Sequence, residues 1–263
     1  MNVLYISYDG LTDPLGQSQI MPYLISCSEH ELNFTVVSFE KKKNLKSEYQ
    51  KVKSQLDKAG ISWIPKTYHK WPPLFSSLVD LQQMIRVAKK VHREKTIRLI
   101  HCRSYVPAYA AFLLKKKLGT KVLFDMRGFW ADERLEGNIW RKDNPVQYGI
   151  YNHLKKMERK WWYDADHMIS LTEKGKKYIC NNQTPDFEKK ITVIPCCADE
   201  RLFTTEIDEK VKISLKNELS INHSEKLLIY VGSLGTWYLG REMMAQFANL
   251  FERKFLDRFL WIT

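Results

Sequence analysis

The apolar positions of this chain fall into short runs separated by longer stretches of helical periodicity. Val3 to Ser7 is uniformly apolar enough for a strand at the centre of a parallel sheet. Further strands are predicted at 33–39, 61–64, 98–102, 121–125, 167–171 and 191–195. Between them lie helical patterns. One carries Ile20, Leu24 and Ile25 toward Glu29. A lysine-rich one over 41–58 places Leu45, Tyr49, Val52 and Leu56 on one face and ends at Gly60. Others run over 76–94, from Pro107 to Leu118 before Gly119, over 146–163, and from an N-cap at Thr172 to Asn181. The segments Tyr8 to Gln19 and 135–147 read as polar loops, and HKWPP at 69–73 as a rigid turn. Strand followed by helix, six or seven times over, predicts a doubly wound parallel α/β sheet of Rossmann-like type.

The pattern changes at 196–205, which is polar and unperiodic, and then at a charged stretch, 206–223. Lys226 to Val231 reads as a new buried strand, Gly232 to Gly235 as a glycine turn, Gly240 to Phe255 as a helix and Phe259 to Ile262 as another strand. The expected organisation is one Rossmann-like domain over 1–200 and the incomplete start of a second over 201–263, with the chain stopping inside it. Sixty-odd residues are about too few for a self-sufficient core.

Composition narrows the classes. The chain has 263 residues, 44% of them hydrophobic and 27% charged, which excludes global disorder. Its net charge is +12, from 42 basic and 30 acidic residues. Nucleic acid, an anionic membrane surface, phosphate-bearing substrates or a lysine-rich background all fit that excess. Nucleic acid is set aside, because the basic residues spread over several helices with no recognition motif. An oxidoreductase is set aside as well: DGLTDPLG after the first strand lacks the G-x-G-x-x-G spacing. The five cysteines follow neither metal-ligand nor disulfide spacing, and with no signal peptide they point to the reducing cytosol. The stretch KKMERKWW at 155–162 has two readings: a basic-aromatic seat on anionic lipid headgroups, or a solvated helix face with both tryptophans in the core.

The chemistry concentrates at KVLFDMRGFWADER, 121–134. A strand ending in a glycine-marked turn crowded with charged and aromatic groups marks the ligand edge of an open α/β sheet. Taken with Gly16 in the first loop, FDMRGFWADER at 124–134, VIPCCADERLF at 193–203 and YVGSLGTWY at 230–238, the chain resembles glycosyltransferase family 4. Cys196 and Cys197 stand where that family usually has Asn and Gly. Ser233 takes the place of an Arg, Leu239 stands where a Lys is common, and Arg127 stands about where many members have a His.

The resemblance implies a GT-B fold with an acceptor-side domain over 1–200 and a donor-side domain beginning after 201. It implies a retaining transferase that moves a sugar from a nucleotide-sugar donor to a glycan or lipid-linked acceptor, in cell-surface polysaccharide synthesis. It needs neither metal nor cofactor, because the nucleotide sugar is itself a substrate. The location implied is the cytoplasm, at the inner face of the membrane. The family's downstream glutamate pair is not in this sequence, so the fragment is expected to be inactive alone. The alternative is a non-catalytic fragment that binds an acceptor or a partner.

Candidate roles follow from side-chain chemistry. Arg127, with five donors and a permanent charge, suits a diphosphate or a developing leaving-group charge; an ion pair with Asp125, Asp132 or Glu133 is the alternative. Glu133 is a candidate base and Asp132 a candidate for sugar hydroxyls. His101 and Arg103 end the fourth strand and suit a hydroxyl or phosphate. Gly16, Gln17 and Ser18 offer backbone N–H groups at a helix start, and Asp13 a carboxylate for a hydroxyl. Trp130 suits a sugar face. In the second domain Gly232, Ser233, Gly235 and Thr236 are the candidates for donor diphosphate.

Overall fold

The computed structural model describes residues 1–71, 73–181, 183–198, 206–222, 224–233 and 238–262, with backbone alone at 73 and 74. The chain divides into two compact units, Met1–Asp132 with Gly149–Asp199, and Glu133–Tyr148 with Glu200–Thr263.

The first unit is built on a seven-stranded, wholly parallel sheet. Its strands are β1 (Asn2–Ser7), β2 (Asn33–Glu40), β3 (Ser62–Thr67), β4 (Leu99–Arg103), β5 (Lys121–Asp125), β6 (His167–Ser170) and β7 (Ile191–Val193), in the order β3-β2-β1-β4-β5-β6-β7. The order reverses between β1 and β4. That switch opens a crevice at the carboxyl ends of these two strands, where open α/β sheets take their ligands. Helices α1 (Met21–Ser28), α2 (Lys42–Lys58), α3 (Pro73–Lys95), α4 (Tyr105–Leu118), α6 (Pro145–Asp164) and α7 (Glu173–Cys180) make the connections, with short α5 (Trp130–Glu136) following β5. The strands β1, β2 and β4 are buried almost throughout, as strands covered on both faces require.

Register fixes which side chains share a face. Tyr5 lies beside His101, and His101 beside Leu123; one pleat toward the carboxyl edge, Ser7 lies beside Arg103, and Arg103 beside Asp125. Parallel neighbours point the same way. The polar ends of three strands therefore form one row at the crevice.

Several boundaries differ from the sequence expectation. The segment expected to be a loop as far as Gln19 is already helical, with a π turn over Gly16–Ile20 running into α1. It starts so early because the Gln17 N–H reaches the Asp13 carbonyl at 3.0 Å. The first residues after Phe129 form α5, where 135–147 was expected to be loop-like from its start. β3 continues to Thr67, paired with β2 along its whole length. The charged 206–223 stretch holds helix α8 (Glu209–Glu218), capped by the Asp208 carboxylate, which accepts from the N–H groups of Lys210 and Val211. The second unit also holds β8 (Leu227–Val231), α9 (Gly240–Glu252) and β9 (Arg258–Ile262), with β8 and β9 parallel.

The two readings of 155–162 separate on burial. Trp161 is 1% exposed, and its ring meets Tyr105, Tyr109, Phe112 and Phe124 at 4.8–5.9 Å. Trp162 is buried as well. The tryptophans are core, not lipid-facing, because the helix turns Trp161 onto α4 and β5 and Trp162 toward Tyr178 of α7; Lys156, Arg159 and Lys160 remain on the exposed face. Among the described residues no helix is long and apolar enough to cross a membrane. Trp161→Ala is expected to lower stability by about 3–5 kcal/mol in urea unfolding, the scale of a large-to-small core change. A loss below about 1 kcal/mol contradicts its place in the core.

Candidate active site

The carboxyl edge is organised around Asp125, the last residue of β5. Its carboxylate is almost wholly buried. Arg103 Nη1 donates to Oδ2 at 3.3 Å, His101 Nε2 approaches the same oxygen at 3.7 Å, and Arg127 Nη1 lies 3.9 Å from Oδ1. From the other side Arg103 Nε reaches Asp9 Oδ2, just past β1, at 3.4 Å. Arg103 thus bridges β1, β4 and β5 across the switch point. Burial works against its charge, but the carboxylates of Asp125 and Asp9 help to hold its pKa above the usual value. The His101 ring packs edge-on to Tyr5 at 4.6 Å and Tyr23 at 5.9 Å. Burial pushes both phenols well above their ordinary range, so they stay neutral.

The Asp125 group is not saturated. His101 Nε2 and Asp125 Oδ1 are buried with no hydrogen-bond partner among the described residues. Buried polar atoms in that state are uncommon, and here two of them stand together at the carboxyl edge. Backbone strain marks the same edge. Ser104, directly after β4, has φ 66° and ψ −173°, and Arg127, two residues after β5, has φ 59°. Such conformations cost non-glycine residues about 1–3 kcal/mol each. At Arg127 the cost turns the side chain back to Asp125 and to Cys196, whose Sγ lies 3.3 Å from Nη2. The segment after β7 is held at this edge a second time, by Gln19 Nε2 donating to the Cys197 carbonyl at 3.1 Å.

His101, Arg103 and Arg127 thus come together, and the ion pair foreseen for Arg127 is with Asp125. Asp132 does not join them. Its oxygens accept from Tyr151 (2.9 Å) and pair with Lys155 (2.7 Å), which also holds the buried Glu158; Glu158 in turn accepts from Tyr105. Burial outweighs these partners and keeps the Glu158 pKa above the usual carboxylate range. Trp130 is half-buried beside Tyr105 at 5.8 Å. Glu133 is exposed on α5 and counts with the second unit. Gly232 and Ser233 follow β8 in that unit, and Tyr230 donates its hydroxyl to the Ser233 carbonyl at 2.9 Å. Gly235 and Thr236 lie outside the described residues.

The first-loop candidates serve the loop itself. Asp13 pairs with Lys41 (2.8 Å) and accepts from Asn44; Gln17 donates to the Thr12 carbonyl and accepts from Lys51 at 3.0 Å; Ser18 is exposed. A Cβ on Gly16 would stand 2.0 Å from the Gly10 carbonyl oxygen and 2.7 Å from Leu11 Cα. Glycine is required here so that the helix can lie against the loop.

Sequence reasoning missed Glu40, the buried end of β2. Its carboxylate accepts from the N–H groups of Leu11 (2.9 Å) and Thr12 (3.0 Å) and from the hydroxyls of Thr12 and Ser38. The available signal was a lone acid closing the apolar run FTVVSFE. Asp9, Asp125 as a hub, and the Cys196 thiol beside Arg127 were missed too.

A wholly parallel, doubly wound sheet with a cationic cluster at its switch point defines an α/β enzyme-type domain of the Rossmann class. The family model for Glycosyltransferase Family 4 matches residues 28–202, well over half of the sequence. The chain belongs to Glycosyltransferase Family 4, and its architecture is that of the GT-B fold. No curated protein matches it. Among solved structures it is similar to HepE of Anabaena in complex with UDP and glucose, at 13% identity and TM-score 0.57 over 99% of this chain and 68% of that one. It is similar to sucrose-phosphate synthase from Thermosynechococcus elongatus, at 11% identity and TM-score 0.59 over 100% and 70%. It is also similar to a UDP-GlcNAc 2-epimerase from Neisseria meningitidis bound to UDP-GlcNAc, at 12% identity and TM-score 0.54 over 99% and 65%. At these identities the likeness is one of fold. Among the described residues no group of three or more His, Cys, Asp and Glu side chains is placed to hold a metal ion.

Glu40→Gln turns an amide NH2 toward the Leu11 and Thr12 donors and is expected to cost about 2–3 kcal/mol. Gly16→Ala is expected to cost about the same through overpacking. Urea unfolding measures both, and a change under about 0.5 kcal/mol in either contradicts the packing of this loop.

Proposed function

We propose that the chain is the acceptor-side domain, with the beginning of the donor-side domain, of a retaining glycosyltransferase. It moves a sugar from a nucleotide-sugar donor to a glycan or lipid-linked acceptor in cell-surface polysaccharide synthesis. The observation that carries this reading is the Arg103, Asp125 and Arg127 group at the switch point, with the buried, unpartnered Nε2 of His101 beside it, on a chain of Glycosyltransferase Family 4.

In this mechanism Arg127 is the catalytic residue. Its guanidinium donates to the departing diphosphate and offsets the charge that develops as the anomeric bond breaks. Arg103, tied to Asp9 and Asp125, supplies a fixed positive background, and His101 orients a hydroxyl or phosphate oxygen through Nε2. The acceptor oxygen bonds to the anomeric carbon on the face the diphosphate leaves, and its proton passes to the leaving phosphate. Gly232 and Ser233, with Gly235 and Thr236, are the proposed N–H donors to the donor diphosphate. Glu133 remains a candidate base, and Gly16 acts by shaping the loop. No metal or cofactor enters this scheme.

The proposed location is the cytoplasm, at the inner face of the membrane where lipid-linked acceptors are found. The net charge of +12 and the exposed Lys156, Arg159 and Lys160 of α6 support attraction to anionic headgroups.

Saturation-transfer NMR with UDP-glucose, UDP-GlcNAc and GDP-mannose tests the reading. At least one is expected to bind, and Arg127→Ala is expected to weaken it by about tenfold or more, the scale of a lost charged hydrogen bond, with unchanged thermal unfolding. A folded chain that binds none of the three, or an Arg127→Ala variant that binds equally well, contradicts it.

A further inference from the structure

A second built group lies at the same sheet edge, on the flank of β1 and β3. Asp80 of α3 is 0% exposed, yet it carries a carboxylate. That carboxylate is fully engaged. Tyr8, directly after β1, donates its hydroxyl to Oδ2 at 2.9 Å; the His69 backbone N–H donates to the same oxygen at 3.2 Å; and His69 Nδ1 lies 2.5 Å from Oδ1. The Tyr8 ring is fixed edge-on to Phe39 and Tyr68, at 5.4 and 5.2 Å. Burial, then the bond to Asp80, keeps its phenol protonated and donating. The His69 side chain is 42% exposed.

These contacts set the orientation of the histidine. With the buried carboxylate against Nδ1, Nε2 lies on the opposite edge of the ring. Asp80 is buried, so the exposed part of the ring is that opposite edge. The contacts to Asp80 therefore hold an outward-facing hydrogen-bonding nitrogen in one orientation. Two residues on, Trp71 is 81% exposed, and Phe75 at the start of α3 is 71% exposed. A fixed hydrogen-bonding nitrogen on the same loop as an exposed indole is a pairing suited to a pyranose. The indole face covers the ring C–H groups, and the nitrogen bonds one hydroxyl, which can both donate and accept. Tyr8 adjoins Asp9, the partner of Arg103, so the group sits one residue along the chain from the edge already described.

We propose that His69, held by Asp80 and Tyr8, together with Trp71, forms a pyranose-binding subsite for the glycan part of the acceptor. This rests on the transferase reading for its role, but not for its existence. Asn places an amide N–H where His places Nδ1–H, so His69→Asn keeps the bond to Asp80 and removes Nε2. The test is saturation-transfer NMR of the 263-residue chain with the methyl pyranosides of glucose, galactose, mannose and GlcNAc. UDP-glucose is titrated into the same samples. At least one glycoside is expected to bind. His69→Asn and Trp71→Ala are each expected to weaken it by about tenfold while thermal unfolding and the UDP-glucose response stay unchanged. Glycoside binding without nucleotide-sugar binding supports the subsite and counts against the transferase reading alone. The subsite is overturned if no glycoside binds. It is overturned equally if His69→Asn binds as well as the parent, which leaves the ring a loop pin. It is overturned too if Trp71→Ala leaves glycoside binding intact but releases the chain from phosphatidylglycerol vesicles, which makes the indole a lipid contact.

Discussion

The buried carboxylate of Asp125 is the constraint on which the ligand edge depends. A carboxylate so deeply placed is tolerated only beside positive charge. Here that charge arrives from two strand ends. Arg103 comes from β4 by register and Arg127 from the turn after β5 by a strained backbone, while the His101 ring stands beside them, one pleat deeper in β4. Arg103 then reaches Asp9 after β1 and so ties the two sides of the switch point together. The result is a fixed network of two arginines and two aspartates with buried hydrogen-bonding capacity left over at His101. That combination suits anionic oxygens whose charge grows during a reaction, since fixed charge stabilises it without having to reorganise.

The rest of the first unit keeps this edge in place. Glu40 and Gly16 hold the loop after β1, one by four hydrogen-bond donors gathered on a carboxylate and the other by the absence of a side chain. The Asp132, Lys155 and Glu158 chain fixes the start of α5 to α6, over an aromatic core centred on Trp161. The same device recurs at Asp80, where a buried acid orients the more exposed His69. Buried carboxylates at strand ends and inside helices are how this domain converts loop positions into fixed geometry, and each acid meets donors from more distant parts of the chain.

Much of this was legible in the sequence. The apolar runs of β1, β2 and β4 announced a sheet covered on both faces, and Arg127, His101 and Arg103 drew notice because they stand at or just past strand ends, where the structure brings them together. What escaped had little or no local signal. Glu40 closes an apolar run, but its backbone donors lie 28 and 29 residues away in the chain, and Asp80 meets Tyr8 across 72. Asp132 was given to the ligand because adjacency to Arg127 in sequence does not reveal that Lys155 and Tyr151 claim it first. The tryptophans of 155–162 were ambiguous for a related reason: composition does not say which face of a helix meets the core. The π turn at Gly16 was unreadable because the segment is polar and its shape is set by contact with Gly10 and Leu11.

The central claim is that Asp125 organises the cations. NMR of the arginine Nη–Hη groups in the parent chain and in Asp125→Asn tests it most directly, because Arg103 Nη1 is the atom that donates to Asp125. The account predicts resolved, slowly exchanging Arg103 Hη signals in the parent. In Asp125→Asn those signals broaden or exchange at the rate of a solvent-exposed arginine, while the amide spectrum of β1 and β2 is retained. An Arg103 signal as sharp and as protected in the variant as in the parent contradicts the account.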